Sequence, residues 1–294
     1  MIWANPIFRK PGFPLWGFFM ILGVIFSMPG SQARANATIS IPEVTELPEF
    51  ASSSSYIPLA FKVASPANTP RPRPLYVRVL ELDGIDDYAF ATDRQSLDLG
   101  RGTEKDFTIE AFFYIKAGAT GLVTLVERDQ FSIRLMLASG TSDGIQFMIH
   151  FEKGDLSLFP VFNLKSGWHH VAVFFDDEAT PGKDVTGIYL DGFLEATRTD
   201  PSWGLVHDST NPLYLGSPFN DPFGGWIEEV RLSSVVRYTG SEFTLPQEYF
   251  QPDEFTRALW HFDEVPGSTS FADFSGNTNR LTGVNGATNT EPGD

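Results

Sequence analysis

Short apolar segments, each bounded by Gly, Asp or Asn, fill the sequence after about residue 75 and favour a fold built from strands. They are rich in β-branched and aromatic residues, and no stretch between them predicts a helix longer than two turns. The segments that predict strands are 107–115, 122–127, 131–138, 145–151, 169–175, 186–190, 213–215, 226–233 and 258–262. Strands this numerous and closely spaced indicate an all-β protein, a two-sheet antiparallel sandwich or a barrel.

Composition indicates that the apolar interior alone holds this fold together. The chain has 27 phenylalanines, and two facing sheets need large side chains to fill a layer about 10 Å thick. It has no cysteine, which excludes disulfides, thiol catalysis and thiolate zinc sites.

The N-terminus predicts an export signal over residues 1–37. Arg9 and Lys10 form a positive region, and the mostly apolar stretch 15–28 is shorter than the roughly 20 residues that a membrane span needs. Alanines at 33, 35 and 37 match the pattern that signal peptidase cleaves, with an uncleaved anchor as the alternative. The sequence therefore predicts a secreted, periplasmic or cell-surface protein with no membrane insertion after signal cleavage.

The rest of the chain divides into a spacer, one domain and a tail. Prolines at 70, 72 and 74 exclude a helix and remove backbone donors, so residues 38–74 are predicted to be a disordered Pro/Ser-rich linker. Residues 75–285 are predicted to form the domain, and 286–294 a flexible tail. The formal net charge is −16, which disfavours nucleic acid and anionic membrane surfaces as partners.

Several motifs in this region resemble the laminin G-like jelly-roll domains of the concanavalin A-like lectin and glucanase superfamily. The resemblance covers nearly everything from residue 80 to about 286. The most specific motif is Phe-Gly-Gly-Trp-Ile-Glu-Glu-Val-Arg-Leu-Ser, in which Glu228 stands where the family usually has Asp. The other matching segments lie at 82–88, 96–99, 107–112, 168–172, 190–192, 213–216, 258–264 and 273–277. The resemblance implies a jelly roll of two antiparallel sheets whose chain ends lie near one another.

Alternation along the strand at 226–233 predicts that Trp226, Glu228, Val230 and Leu232 share one face. A carboxylate on an inward face needs a partner, and Arg78, Arg237 or a bound cation are the candidates.

Three tryptophans at 168, 226 and 260 match family positions that we interpret as core. Asp191-Gly192 has the composition of a two-residue hairpin turn.

Two segments superficially match catalytic motifs. Carboxylates at 81, 83 and 86 resemble the alternating acids of the superfamily glucanases, but Gly84 indicates a turn, and the segment aligns with the family's first strand, not its catalytic one. Gly140-Thr-Ser-Asp-Gly144 has the written pattern of a nucleophile elbow, but it lies between two predicted strands, which favours a hairpin loop. The five histidines have no zinc-like spacing.

Calcium is the cofactor that the acidic loops predict. Hard cations bind carboxylate and carbonyl oxygens, and the turn at 273–277 offers several of them. The resemblance implies neighbouring terminal strands, which would bring further acids close to this turn. The predicted metal ligands are Asp83, Asp86, Asp87, Asp273, Ser275 and Asn277. An Asx-type turn, in which Asp273 accepts backbone N–H groups, is the alternative.

For ligand recognition we expect aromatic rings on loops, because sugar rings stack on aromatic faces while polar neighbours bind the hydroxyls. The predicted ligand-binding residues are Trp203, Asn220, Asp221 and Phe223. The resulting hypothesis is an exported, non-catalytic recognition or adhesion module that binds polysaccharide or a cell-surface or matrix protein. The alternatives are a glycan-active hydrolase of the same superfamily and a purely structural envelope domain.

Overall fold

The computed structural model describes residues 78–138, 143–162 and 164–292. Within them the chain forms strands and one short 3₁₀ turn at Gln95–Leu97, which confirms the all-β prediction. The strands are β1 (Val79–Asp83), β2 (Tyr88–Ala91), β3 (Phe107–Ile115), β4 (Gly121–Arg128), β5 (Phe131–Leu137), β6 (Asp143–Phe151), β7 (Gly154–Leu158), β8 (Val161–Phe162), β9 (Gly167–Thr180), β10 (Lys183–Leu190), β11 (Phe193–Pro201), β12 (Leu213–Gly216), β13 (Gly224–Ser233), β14 (Thr256–Trp260), β15 (Ser270–Phe271), β16 (Leu281–Val284) and β17 (Thr288–Thr290). The predicted signal and linker lie outside the described residues.

The strands form two antiparallel sheets that face each other as a sandwich. The eight-stranded sheet has the order β11-β10-β9-β3-β13-β1-β17, and β14 also pairs with β13. The nine-stranded sheet has the order β15-β16-β2-β12-β4-β5-β6-β7, and β8 pairs with β6. Every segment predicted as a strand lies in one of these sheets.

The interior between the sheets is apolar and dense with phenylalanine. Phe107, Phe131, Phe147 and Phe175 are fully buried, and the ring of Phe107 contacts the rings of the other three. Trp260 is equally buried, as predicted. Burial of a phenylalanine side chain contributes on the order of 2 kcal/mol, so this layer is the main source of stability in a domain without disulfides.

The C-terminal segment differs from its prediction as a flexible tail. Residues 288–290 form β17, which pairs with β1 from Val79↔Thr290 to Glu81↔Thr288. The short Thr-Asn-Thr sequence carries no apolar pattern, so only the pairing with β1 identifies it as a strand. The terminal strands therefore lie side by side, as the resemblance implied.

The Asp191-Gly192 turn between β10 and β11 has the predicted geometry. Both residues have positive φ, 50° and 87°, as a type I′ hairpin requires. The Asp191 carboxylate accepts from the His170 backbone N–H at 2.8 Å and contacts His169 Nδ1 at 2.9 Å. His169 and His170 point to opposite faces of the sheet, and His170 contacts Glu110 on the outer face.

The predicted common face of β13 is wrong, because the strand contains a bulge. Pairing with β3 shifts between Ile227 and Glu229, so Glu228 is an extra residue. Ile227, Val230 and Leu232 point into the core, whereas Trp226 lies half-buried on the outer face. Trp168 also lies half-buried on that outer face against Trp226, so both were wrongly interpreted as core.

The cations predicted for Glu228 bind elsewhere. Arg78 donates to the backbone carbonyls of Asp263 and Glu264, and Arg237 pairs with Asp253. The prediction of an Arg78 or Arg237 partner is therefore wrong.

Within the residues that the structure describes, there is no helix with the length and hydropathy that crossing a bilayer requires.

Candidate functional site

Aromatic side chains cluster on the outer face of the nine-stranded sheet. The core-facing residues of β2 and β12 alternate with Tyr88, Phe90 and Tyr214, which point away from the core. Tyr88 and Tyr214 contact edge to face at 5.9 Å between ring centroids, and Phe219, from the loop after β12, contacts Tyr214 in the same way at 5.8 Å. The Phe219 side chain is 73% exposed, so much of its ring is open to solvent.

A cavity of about 260 Å³ lies beside this cluster. Tyr214 and Phe219 provide its aromatic wall, and Glu127, Arg134 and His150 from β4, β5 and β6 provide polar groups. We call this cavity the Phe219 pocket. It combines apolar ring surface with hydrogen-bond donors and acceptors, as small-molecule sites do.

Glu127 is a buried carboxylate of the Phe219 pocket. Its Oε1 accepts a hydrogen bond from Ser217 Oγ at 2.9 Å, and its Oε2 lies 3.8 Å from Arg134 Nη2. Burial raises the pKa of Glu127, and the charge of Asp221 adds to this, while Ser217 and Arg134 oppose it. The side chain is therefore a hydrogen-bond acceptor whose charge is partly offset.

The loop that carries Phe219 is fixed at both ends. Ser217 Oγ accepts from the Phe219 N–H at 3.2 Å, and the Asp221 carbonyl accepts from the Thr124 N–H of β4 at 2.7 Å. Asp221 has a φ of 57°, a left-handed conformation that Asp tolerates better than most residues. The exposed ring is therefore presented by a loop anchored to the sheet.

The predicted ligand-binding residues are only partly brought together. Asn220 and Asp221 lie in the Phe219 loop, but Phe223 is 1% exposed and belongs to the core, so it presents no ring face to a ligand. Trp203 is not a free loop aromatic: its ring stacks on Phe151 at 5.4 Å and packs against the core.

Sequence reasoning missed Phe219 itself. The signal for it was a large apolar residue between two prolines in an otherwise polar loop.

A larger cavity, about 630 Å³, lies at one end of the sandwich but has a different character. Among the described residues, no aromatic side chain lines it, and its guanidinium groups are already paired: Arg101 with Glu152 and Asp208, and Arg257 with Glu104. It therefore suits a sugar ring less well than the Phe219 pocket, which has an aromatic wall.

Three of the predicted metal ligands do form one group. Oxygen atoms of Asp83, Asp86 and Asp87, in the turn after β1, lie within 4.8 Å of one another. Asp87 is 5% exposed, and its Oδ1 has no hydrogen-bond donor among the described residues. Burial raises the pKa of Asp87, and the charges of the other two carboxylates add to this. The turn between β16 and β17 closes over the group, since Asn285 Nδ2 donates to the Asp86 carbonyl.

The other three predicted ligands belong to a separate hydrogen-bonded turn. Asp273 accepts from the N–H groups of Leu259, Ser275 and Asn279 at 2.8–3.0 Å and from Ser275 Oγ at 2.8 Å. Asn277 Nδ2 donates to backbone carbonyls of β14. The prediction that Asp273 joins the Asp83 group is thus wrong, and the Asx-type turn is confirmed.

The two segments that resembled catalytic motifs lie on opposite sheets: Glu81 is on β1, and β5 and β6 flank the elbow-like pattern. Glu81 Oε1 accepts from Lys116 Nζ and from Trp226 Nε1, both at 3.2 Å, on the eight-stranded sheet. Strands β5 and β6 pair as an antiparallel hairpin around the elbow-like pattern, whose residues 140–142 lie outside the described ranges.

Comparison with protein families identifies one match. A laminin G family model, described as the concanavalin A-like lectin/glucanases superfamily, matches residues 83–240, more than half of the chain. No curated protein matches the chain significantly.

Several solved structures are similar to this chain at low sequence identity. A candidate carbohydrate-binding protein from Bacteroides ovatus is 20% identical with a TM-score of 0.53; the alignment covers 74% of this chain and 61% of that one. Domains LG4-5 of the mouse laminin alpha1 chain are 17% identical with a TM-score of 0.38, covering 58% and 47% of the two chains. A heptameric pentraxin from Limulus polyphemus is 12% identical with a TM-score of 0.39, covering 55% and 77%.

Proposed function

We propose, since the chain belongs to the concanavalin A-like lectin/glucanases superfamily, that it is a non-catalytic carbohydrate-binding module whose ligand lies in the Phe219 pocket. The observation that carries this proposal is the Phe219 ring, 73% exposed beside a cavity with polar groups. An exposed phenylalanine on an anchored loop gives a sugar ring an apolar face, and Glu127, Arg134 and His150 can bind its hydroxyls. The Bacteroides ovatus protein, by its name, is consistent with this ligand class.

The partner in this proposal is an extracellular polysaccharide. The acidic chain would repel a polyanion at long range, so a neutral glycan suits it better. Export itself is proposed from residues 1–37, which lie outside the described ranges.

The test is binding to a panel of soluble neutral polysaccharides, measured by affinity electrophoresis and calorimetry. We expect Phe219→Ala to weaken binding roughly 30-fold, because truncating an aromatic anchor costs about 2 kcal/mol. Phe255→Ala, which removes a 40% exposed ring outside the pocket, is the matched control and should bind as the unmodified protein does. Equal affinity for Phe219→Ala and the control would refute the site.

The same samples address the hydrolase alternative, which the raised pKa of Glu127 in the pocket favours. If the unmodified protein releases reducing ends and Glu127→Gln does not, the function is catalytic and not binding alone.

We also propose that the Asp83, Asp86 and Asp87 group binds calcium. The carboxylates offer the oxygens that Ca²⁺ prefers, and the buried Asp87 Oδ1 has no other donor among the described residues. A bound cation would offset the burial and the mutual repulsion that together raise the pKa of Asp87.

Calcium should therefore raise the melting temperature. At a calcium concentration about 100 times Kd, the free energy of unfolding rises by about 2.7 kcal/mol. For a domain of this size, this raises the melting temperature by roughly 5–10 °C. The measurement is thermal unfolding in CaCl₂ and in EDTA. Asp87→Asn should abolish the difference, and Asp129→Asn, at an exposed site, should keep it. An unmodified protein that melts at the same temperature in both buffers has no such site.

A further inference from the structure

Three large aromatic side chains lie next to one another on the outer face of the eight-stranded sheet. Trp226 on β13 pairs across the sheet with Tyr114 on β3, and Tyr114 pairs with Trp168 on β9. The ring centroids are 4.6 Å apart for Trp226 and Tyr114 and 5.5 Å for Tyr114 and Trp168. We call these three residues the aromatic row. All three are half-buried, so part of each ring faces solvent.

The bulge in β13 is what places Trp226 in the aromatic row. If β13 had no bulge and Glu228 were paired in the ladder, strict alternation would put Trp226 on the same face as Val230, inside the core. A bulge disrupts the ladder locally, and bulges are common beside functional sites, where they redirect a side chain. The strand therefore accepts a local defect that has the effect of moving an indole from the core to the surface.

A charge-compensated polar pair borders the aromatic row. Glu81 on β1 is the cross-strand neighbour of Trp226 and accepts from its Nε1 at 3.2 Å. Lys116 Nζ binds the same carboxylate oxygen and lies 5.6 Å from the Trp226 ring centroid. The Lys116 and Glu81 side chains are 39% and 42% exposed, so both can reach a ligand.

We infer that the aromatic row is a second saccharide-binding surface, for pyranose rings of a neutral polysaccharide. Contiguous apolar surface of this kind marks interaction sites, and aromatic faces bordered by a donor and an acceptor suit a ring with C–H groups on its face and hydroxyls on its rim. The compensated Glu81 and Lys116 pair adds no net charge, which favours a neutral ligand. The inference shares its ligand class with the proposed function, but it concerns a different surface.

The two surfaces lie on the outer faces of opposite sheets, which has a consequence for assembly. One straight glycan segment cannot stack on both, so a protein with two working surfaces joins two glycan chains or two segments of one chain. Such bivalency raises avidity towards a dense polysaccharide without any new contact.

The experiment is calorimetric titration of the full chain with neutral oligosaccharides. They are prepared from whichever of xyloglucan, mixed-linkage β-glucan and galactomannan the protein binds. We expect two binding sites in the unmodified protein. Trp168→Ala and Phe219→Ala should each retain one site, with the affinity of the other lowered at least about tenfold. Phe255→Ala, which removes an exposed ring outside both surfaces, is the matched control and should retain both sites. Loss only in Trp168→Ala would support the row and remove the Phe219 pocket. Loss only in Phe219→Ala, with Trp168→Ala melting as the unmodified protein does, would overturn this inference.

A measurement without substitution covers the case in which Trp168→Ala does not fold. N-bromosuccinimide oxidises accessible indoles, and peptide mapping identifies the modified positions. Saturating oligosaccharide should protect Trp168 and Trp226 at least about fivefold. The inference is contradicted if both tryptophans are oxidised at an unchanged rate. It is also contradicted if a protein partner protects them and no glycan of the panel does.

Discussion

Replacing Glu110 by Gln should lower the free energy of unfolding by about 3–5 kcal/mol, because it removes one partner of a buried charge network. Glu110 on β3 is fully buried beneath the segment that follows β13. Its Oε1 accepts from Arg231 Nε and Nη2 at 2.8 and 2.7 Å, and its Oε2 accepts from the Tyr238 hydroxyl at 2.7 Å and lies 3.2 Å from His170 Nε2. The variant leaves the Arg231 guanidinium in a buried site without its counter-charge.

The measurement is equilibrium unfolding in urea at neutral pH, with a melting temperature lowered by roughly 6–20 °C as the parallel observation. The matched control is Glu152→Gln, which removes the same charge from an ion pair with Arg101 at 3.4 Å where Glu152 is 54% exposed. An exposed pair contributes at most about 1 kcal/mol, so the control should stay close to the unmodified protein. A Glu110→Gln variant as stable as the control would mean that the network contributes nothing.

The same network has a defined pH dependence. Burial alone would raise the pKa of Glu110, but His170, Arg231 and Tyr238 outweigh it and hold the pKa below its usual value of 4.5. A carboxyl with a lowered folded-state pKa stabilises the protein above its unfolded value and loses that contribution as the pH falls through the folded one. The stability difference between the unmodified protein and Glu110→Gln should therefore shrink as the pH falls below about 4.5.

The dense apolar patterns of the core strands predicted an all-β sandwich or barrel, and the family resemblance added the two-sheet jelly roll. Sequence reasoning missed strands whose identity depends on their neighbours: β11 at the sheet edge is largely exposed, and β17 is a strand only through β1. The bulge at Glu228 was not predictable either, since it depends on the register that β13 adopts against β3. One extra residue reversed the face of Trp226 and with it the interpretation of a whole surface.

The candidate site was predicted less well, for a physical reason. The loop containing Asn220 and Asp221 was identified from its composition, but the ring that matters, Phe219, is placed by contacts with Ser217 and Tyr214. Glu127 and Arg134 join this site from separate strands, and their proximity follows from the pairing of β4 with β5. Such groupings depend on long-range register, which local patterns do not contain.

Asp273→Ala should destabilise the domain by about 2–4 kcal/mol whether or not calcium is present, since hydrogen bonds to a charged acceptor contribute about 1.5–3 kcal/mol each. Its two oxygens accept from the backbone of β14, from Ser275 and from Asn279. Asn279 in turn accepts from Trp260 Nε1 at 2.7 Å through its carbonyl, so the carboxylate links the last strands to the core. Urea unfolding in CaCl₂ and in EDTA should give the same loss. A loss found only in CaCl₂ would instead make Asp273 a metal ligand, and Asp129→Asn, at an exposed carboxylate, sets the baseline in both buffers.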